Sequence, residues 1–133
     1  MAHQDVETMR RAYELANQGD IPGMLAATMD DQVEWHEFGG GNAPAGVFHG
    51  VERVASAVFG PVPAAFEEYR AEPDRFIRDA AGHVVVVGTF RGRGKEGRRL
   101  DAPFVHVWEL RDGKVVRMRN HVDADAWRAA WGG

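Results

Sequence analysis

Cysteine is absent from the 133 residues, which excludes disulfides, thiolate metal sites, iron–sulfur clusters and a thiol nucleophile. No apolar run approaches the roughly 20 residues that cross a bilayer as a helix. The start, Met1 to Glu7, lacks the basic and apolar regions of a secretory signal. A cytoplasmic location is therefore expected, with no membrane partner. Positive charge is not in excess either: 16 Lys and Arg stand against 20 Asp and Glu, for a formal net charge of -4, so nothing favours nucleic acid. The one basic cluster, Arg91, Arg93, Lys95, Arg98 and Arg99, is interleaved with glycines rather than stacking aromatics and reads as a solvated hairpin tip. What is present is an ordinary globular balance, 44% hydrophobic and 27% charged, enough for one domain over residues 1–133.

Helical periodicity dominates the first half. Val6, Met9, Tyr13 and Ala16 share one face of a helix over residues 5–18, which Gly19 stops. Asp20 followed by Pro22 starts a second helix through about Met29. Residues 32–38 alternate as a strand, ended by Gly39-Gly40-Gly41-Asn42, and a loop to about Phe48 follows. Val51, Val54, Ala55, Val58 and Phe59 form the buried face of a third helix, which Pro61 and Pro63 interrupt, with Ala64 to Tyr69 read as a further helical turn. Strands are expected over 70–78, 84–90, 104–110 and 115–122. Asp112-Gly113 is the strongest hairpin signal, because that pair accepts the positive φ angles of a tight reversal. Asp123 is placed to cap a turn over Ala124 to Trp131, whose Trp127 and Trp131 form one apolar edge. Helices first and an antiparallel meander last define a segregated α+β fold.

The order of these elements resembles the SnoaL-like proteins, in the superfamily that includes ketosteroid isomerase, limonene epoxide hydrolase and nuclear transport factor two. Five segments carry the resemblance: Tyr13 to Asp20, Val33-Glu34-Trp35-His36, Gly46 to Gly50, Pro103 to Val115, and Asn120-His121-Val122-Asp123. It implies a curved antiparallel sheet forming a cone-shaped barrel, packed against three helices of the N-terminal half around an internal pocket. The same cone hosts isomerases, cyclases, hydrolases, dehydratases and transport adaptors, so function has to come from the site.

Matched through the Asp112-Gly113 turn, His106 falls where ketosteroid isomerases place the acid that bonds a developing oxyanion, a role an imidazole can fill. The bland alternative is a histidine satisfied within the sheet. Trp35 and Ala12 fall on that enzyme's base and key tyrosine, and Asn120 falls on the essential aspartate of cyclases and limonene epoxide hydrolase, so those mechanisms are not expected. Glu37 shares its side of the first strand with Trp35 and is the nearby carboxylate, either one half of an acid–base pair with His106 or a solvated group at a strand end. The candidate catalytic set is therefore His106, Asn120 and Glu37, with Tyr13, Trp35, Phe59, Phe104, Trp108, Met118 and Val122 as substrate-binding wall.

No metal is expected, because strand alternation splits His36, His106, His121 and Glu37 between faces; His3, His49 and His83 read as superficial. No cofactor is required. The reading is a protein that binds a small hydrophobic molecule, either as an acid–base enzyme of isomerase, cyclase or lyase type or as a non-catalytic binder with a degenerate site, with adaptor use of the open sheet face least supported. The outward face of Val105 and Val107 leads to an expected homodimer.

Overall fold

The computed structural model describes residues 2–38 and 44–131. The expected Gly39-Gly40-Gly41-Asn42 run and the His3 side chain lie outside the described residues. The elements are α1 (Ala2–Asn17), α2 (Ile21–Thr28), β1 (Met29–Phe38), β2 (Ala45–His49), α3 (Val51–Ala57), α4 (Pro61–Ala64), β3 (Phe66–Arg78), β4 (His83–Gly94), β5 (Arg99–Arg111), β6 (Lys114–Val122) and α5 (Ala124–Trp131). The fold is mixed α+β. One curved six-stranded sheet runs in the order β2-β1-β6-β5-β4-β3 and stays open at its β2 and β3 edges. Every pairing is antiparallel except β1 with β6, which is parallel.

Alternation decides which side chains enter the core. Along β5, Leu100, Ala102, Phe104, His106, Trp108 and Leu110 are buried while their neighbours are not, and β4 contributes Val84, Val86 and Phe90 to the same face. Helix α1 lies against β3 and β4, α3 against β1 and β2, and α5 against β5 and β4. Met9, Val33, Val54, Val84, Val86, Leu100, Phe104, Val115 and Met118 are almost wholly removed from water. Gly88 makes room for this packing, since a Cβ there would stand 2.6 Å from Cζ of Phe104.

The caps and turns follow their local chemistry. Asp20 Oδ1 accepts from the Gly23 amide at 2.9 Å and caps α2, whose last carbonyls, Ala26 and Ala27, accept from Lys114 Nζ at 3.2 and 3.0 Å. Asp123 Oδ1 accepts from the Ala126 amide at 3.1 Å at the start of α5. Asp112 and Gly113 both have positive φ, 53° and 79°, and reverse β5 into β6. The basic hairpin is laced with acids: Arg91 pairs with Glu72 and Asp101, Arg93 with Glu67, Arg98 with Glu96 and Arg99 with Asp101.

Three sequence expectations change. Residues 45–49 form a strand on the edge of β1, not a loop; only Phe48 is half-buried, so no hydrophobic period marks the strand, which pairs its backbone with β1. The prolines at 61 and 63 open the short helix α4 rather than only ending α3, because proline suits a first helical turn. Residues 66–69 belong to β3, where Phe66 pairs with Gly94. Pro73 is tolerated in β3 because that strand is an edge and shifts register there.

Asn17 ties the helical layer to that edge. Its Nδ2 donates to the Ala71 carbonyl at 2.8 Å and its Oδ1 accepts from the Ala71 amide at 3.0 Å, so one amide satisfies backbone groups a further strand would otherwise take. Asn17→Ala is expected to cost about 1–3 kcal/mol by leaving them unpaired; urea unfolding measures it, and a change within error of zero would show the clamp to be redundant.

Candidate active site

Three adjacent strands set the site. His106 on β5 lies directly across from Asn120 on β6, Trp108 from Met118, and Met118 in turn from Trp35 on β1. Because β1 runs parallel to β6, two further residues along both strands bring Glu37 beside Asn120. The Glu37 carboxylate is held from both sides: Oε1 accepts from Trp35 Nε1 at 2.7 Å and Oε2 from Asn120 Nδ2 at 2.8 Å. Two N–H donors fix its orientation.

His106 is clasped from the helical side. Tyr13, on the buried face of α1, brings its hydroxyl within 2.6 Å of His106 Nδ1, and Trp108 Nε1 donates to the same hydroxyl at 3.1 Å. The ring stacks on Phe104 with centroids 4.0 Å apart and an 18° tilt. Burial pushes the His106 pKa down to about 3; the facing Asn120 amide opposes this and the charge of His121 adds to it. The imidazole is therefore neutral at physiological pH. Burial likewise holds the Tyr13 phenol protonated, well above its usual range, with the Trp108 bond opposing. Tyr69 is also raised, first by burial and then by the negative charge of Glu37.

These groups border a cavity of about 410 Å³, within the usual range for small-molecule sites. Of the residues expected from sequence, His106, Asn120, Glu37, Tyr13, Trp35, Phe59, Trp108, Met118 and Val122 all line it. Phe104 does not. Its ring sits behind His106 against Phe90, at 4.5 Å between centroids, and backs the imidazole instead of meeting a ligand. Phe66, Tyr69, Phe90 and Trp127 complete the wall. Phe90 was readable from its alternation with Val84 and Val86, whereas Phe66 and Tyr69 were hidden by the late start assigned to β3. Trp127 lines the cavity and stacks on Trp131 at 6.1 Å.

His36 faces away from Trp35, paired with Glu34 at 2.6 Å in an outer-face network that includes Arg117. Among the described residues no group of three or more His, Asp or Glu is arranged to hold a metal ion.

The fold and cavity define a cone-type α+β domain with an aromatic interior, and the comparisons give it a family. The model of the SnoaL-like domain matches residues 9–118, and the chain belongs to that family. TerC, co-crystallised with polyporic acid, is 30% identical over 98% of this chain and 99% of its own, with a TM-score of 0.87. Bal32a, from a soil-derived mobile gene cassette, is 28% identical over 98% of each chain with a TM-score of 0.85. An NTF2-like protein from Burkholderia pseudomallei K96243 is 29% identical over 98% of each chain, also at 0.85. No curated protein matches.

Proposed function

We propose that this protein is an acid–base enzyme of isomerase, cyclase or lyase type acting on a small hydrophobic molecule, with Glu37 as base and His106 as a neutral N–H donor. The observation that carries the reading is the double clamp on Glu37 by Trp35 and Asn120 on the wall His106 shares. A carboxylate so fixed beside an apolar space is suited to take a proton from carbon.

For a bound ketone the balance is simple. Glu37 takes the proton from the carbon next to the carbonyl, the C–H pair becomes the C=C bond, and the C=O π pair moves onto oxygen. That oxyanion accepts the His106 N–H, a fixed donor in a water-poor site. The carboxyl proton on Glu37 trades with solvent and a proton then returns to the same carbon, giving exchange, or to another, giving isomerisation; expulsion of a leaving group from the enolate gives lyase chemistry. A neutral imidazole, which keeps one N–H to donate, is the form burial gives it. The co-crystal of TerC with polyporic acid supports a small organic ligand.

The test is deuterium incorporation from solvent into a panel of hydrophobic ketones, read by mass spectrometry. The native protein should exchange the position next to the carbonyl in at least one of them, and His106→Ala should slow that exchange about 10²–10³-fold, as loss of an oxyanion donor does. Exchange unaffected by His106→Ala would remove His106 from the chemistry.

A further inference from the structure

The chain has two tyrosines, Tyr13 and Tyr69, and both line the cavity. Their hydroxyls are in opposite states. That of Tyr13 is spent, shared between His106 Nδ1 and Trp108 Nε1. That of Tyr69 has no hydrogen-bond partner among the described residues, and it is not sealed inside the protein as Arg98 Nε and Asn120 Oδ1 are. A tyrosine hydroxyl set among aromatic rings ordinarily finds a partner. Here it is left open to the space that its residue lines.

A bulge in β3 aims the side chain there. The register of β3 on β4 slips between Phe66 and Glu68, so Phe66 and Tyr69, three positions apart, share the inner face that strict alternation would deny them. Their rings stack at 5.5 Å. Phe90 stacks on Tyr69 at 5.6 Å and Trp127 meets it edge-on at 6.2 Å, which leaves the ring little freedom to turn. Phe90 also lies 5.5 Å from the His106 ring, so phenol and imidazole are neighbours of one aromatic side chain. Glu37 is reached by a different route. In the sheet, β1 and β3 are separated by β6, β5 and β4, yet the curl of the sheet brings the Glu37 charge close enough to act on the Tyr69 phenol.

We propose that Tyr69 is a further catalytic residue of this cavity, its O–H donating to the substrate oxygen on which the enolate charge develops, alongside the His106 N–H. The inference rests on the reading of Glu37 as a base. Burial first, and then the Glu37 charge, keep the phenol protonated, so Tyr69 gives a hydrogen bond and no proton leaves it. Before reaction that hydroxyl feels an ionised Glu37. Once Glu37 holds the substrate proton, the negative charge has moved to the substrate oxygen, where the same O–H can bond it. The bond is therefore stronger in the transition state than in the bound ketone, which is the condition for raising a rate. It also orients the substrate: the carbonyl oxygen lies towards β3 and β5, and the carbon that loses its proton towards β1.

Tyr69→Phe removes the hydroxyl and keeps the ring that stacks on Phe66 and Phe90. Exchange of solvent deuterium into 2-tetralone above the buffer rate, followed by mass spectrometry across a range of ketone concentrations, separates the rate in the complex from the affinity. The rate in the complex should fall about 10²-fold, the scale of one lost oxyanion donor. Affinity should fall by no more than about 10-fold, the worth of one neutral hydrogen bond. An unchanged rate overturns the proposal and leaves the reading of Glu37 as base intact. A loss confined to affinity also overturns it, because Tyr69 would then hold ketone and transition state equally. If the native protein speeds exchange in no ketone of the panel, 2-tetralone included, the reading of Glu37 fails and this inference fails with it. Should Tyr69→Phe not fold, fluorine NMR of the native chain carrying 3-fluorotyrosine decides: one of the two signals should move with 2-tetralone and not with tetralin, the hydrocarbon that lacks the oxygen. Equal responses to the two would overturn the proposal.

Discussion

Glu37→Gln is expected to slow ketone proton exchange by about 10²–10⁴-fold, the usual contribution of a positioned general base. Glutamine has the same shape and reach, so the cavity should keep its form. It has one accepting oxygen, however, and cannot serve both Trp35 Nε1 and Asn120 Nδ2. A small loss of stability, on the order of 1 kcal/mol, should accompany the loss of rate. Tyr69 provides an independent reading, because its phenol is raised partly by the Glu37 charge and should ionise more easily in the variant. A rate unchanged by Glu37→Gln, with Tyr69 shifted as expected, would place the carboxylate in the cavity but outside the chemistry.

Acid should destabilise the fold through His106. The folded pKa is about 3, against roughly 6.5 for an unfolded histidine. Between those values the unfolded chain binds a proton the folded one refuses, so stability rises with pH across that window. The neutral ring's contribution is fully present above about pH 6.5 and is lost as pH falls towards 3, at up to about 1.4 kcal/mol per pH unit. The groups facing it are Tyr13 from α1, Trp108 and Phe104 on its own strand, Phe90 from β4 and Asn120 from β6, while His121 acts by charge from the outer face of β6. His106→Phe keeps the stacking on Phe104 but has nothing to titrate. Urea unfolding of both proteins at pH 6.5 and 4.5 should show a steeper acid loss in the native chain by about 2–3 kcal/mol. Parallel losses would mean that the imidazole is solvated and titrates normally.

Much of this site was legible along the chain because β5 and β6 are joined by Asp112-Gly113. That turn fixes their register, and register fixes His106 opposite Asn120. Periodicity on α1 likewise brought Tyr13 inward. What sequence reasoning did not give was the partner of each group. The bond from Tyr13 to His106 spans 93 positions, and no local pattern carries it. The clamp on Glu37 depends on β1 running parallel to β6, a crossover set by tertiary packing. Sequence alone therefore favours a solvated strand-end carboxylate, and only the neighbouring strand supplies the Asn120 donor that holds it, half-buried, in place. Phe104 was misassigned for a related reason: alternation tells which face a side chain joins, but not whether another ring, here His106, stands between it and the cavity.

The pH dependence of ketone exchange bears most directly on the pairing of an ionised carboxylate with a neutral imidazole. The prediction is one acid limb as the Glu37 carboxylate protonates, then a plateau with no inflection near pH 6.5, and no such limb in the residual rate of Glu37→Gln. An inflection near pH 6.5 in the native protein would show His106 taking up a proton in the working range, which contradicts the neutral donor on which the mechanism rests.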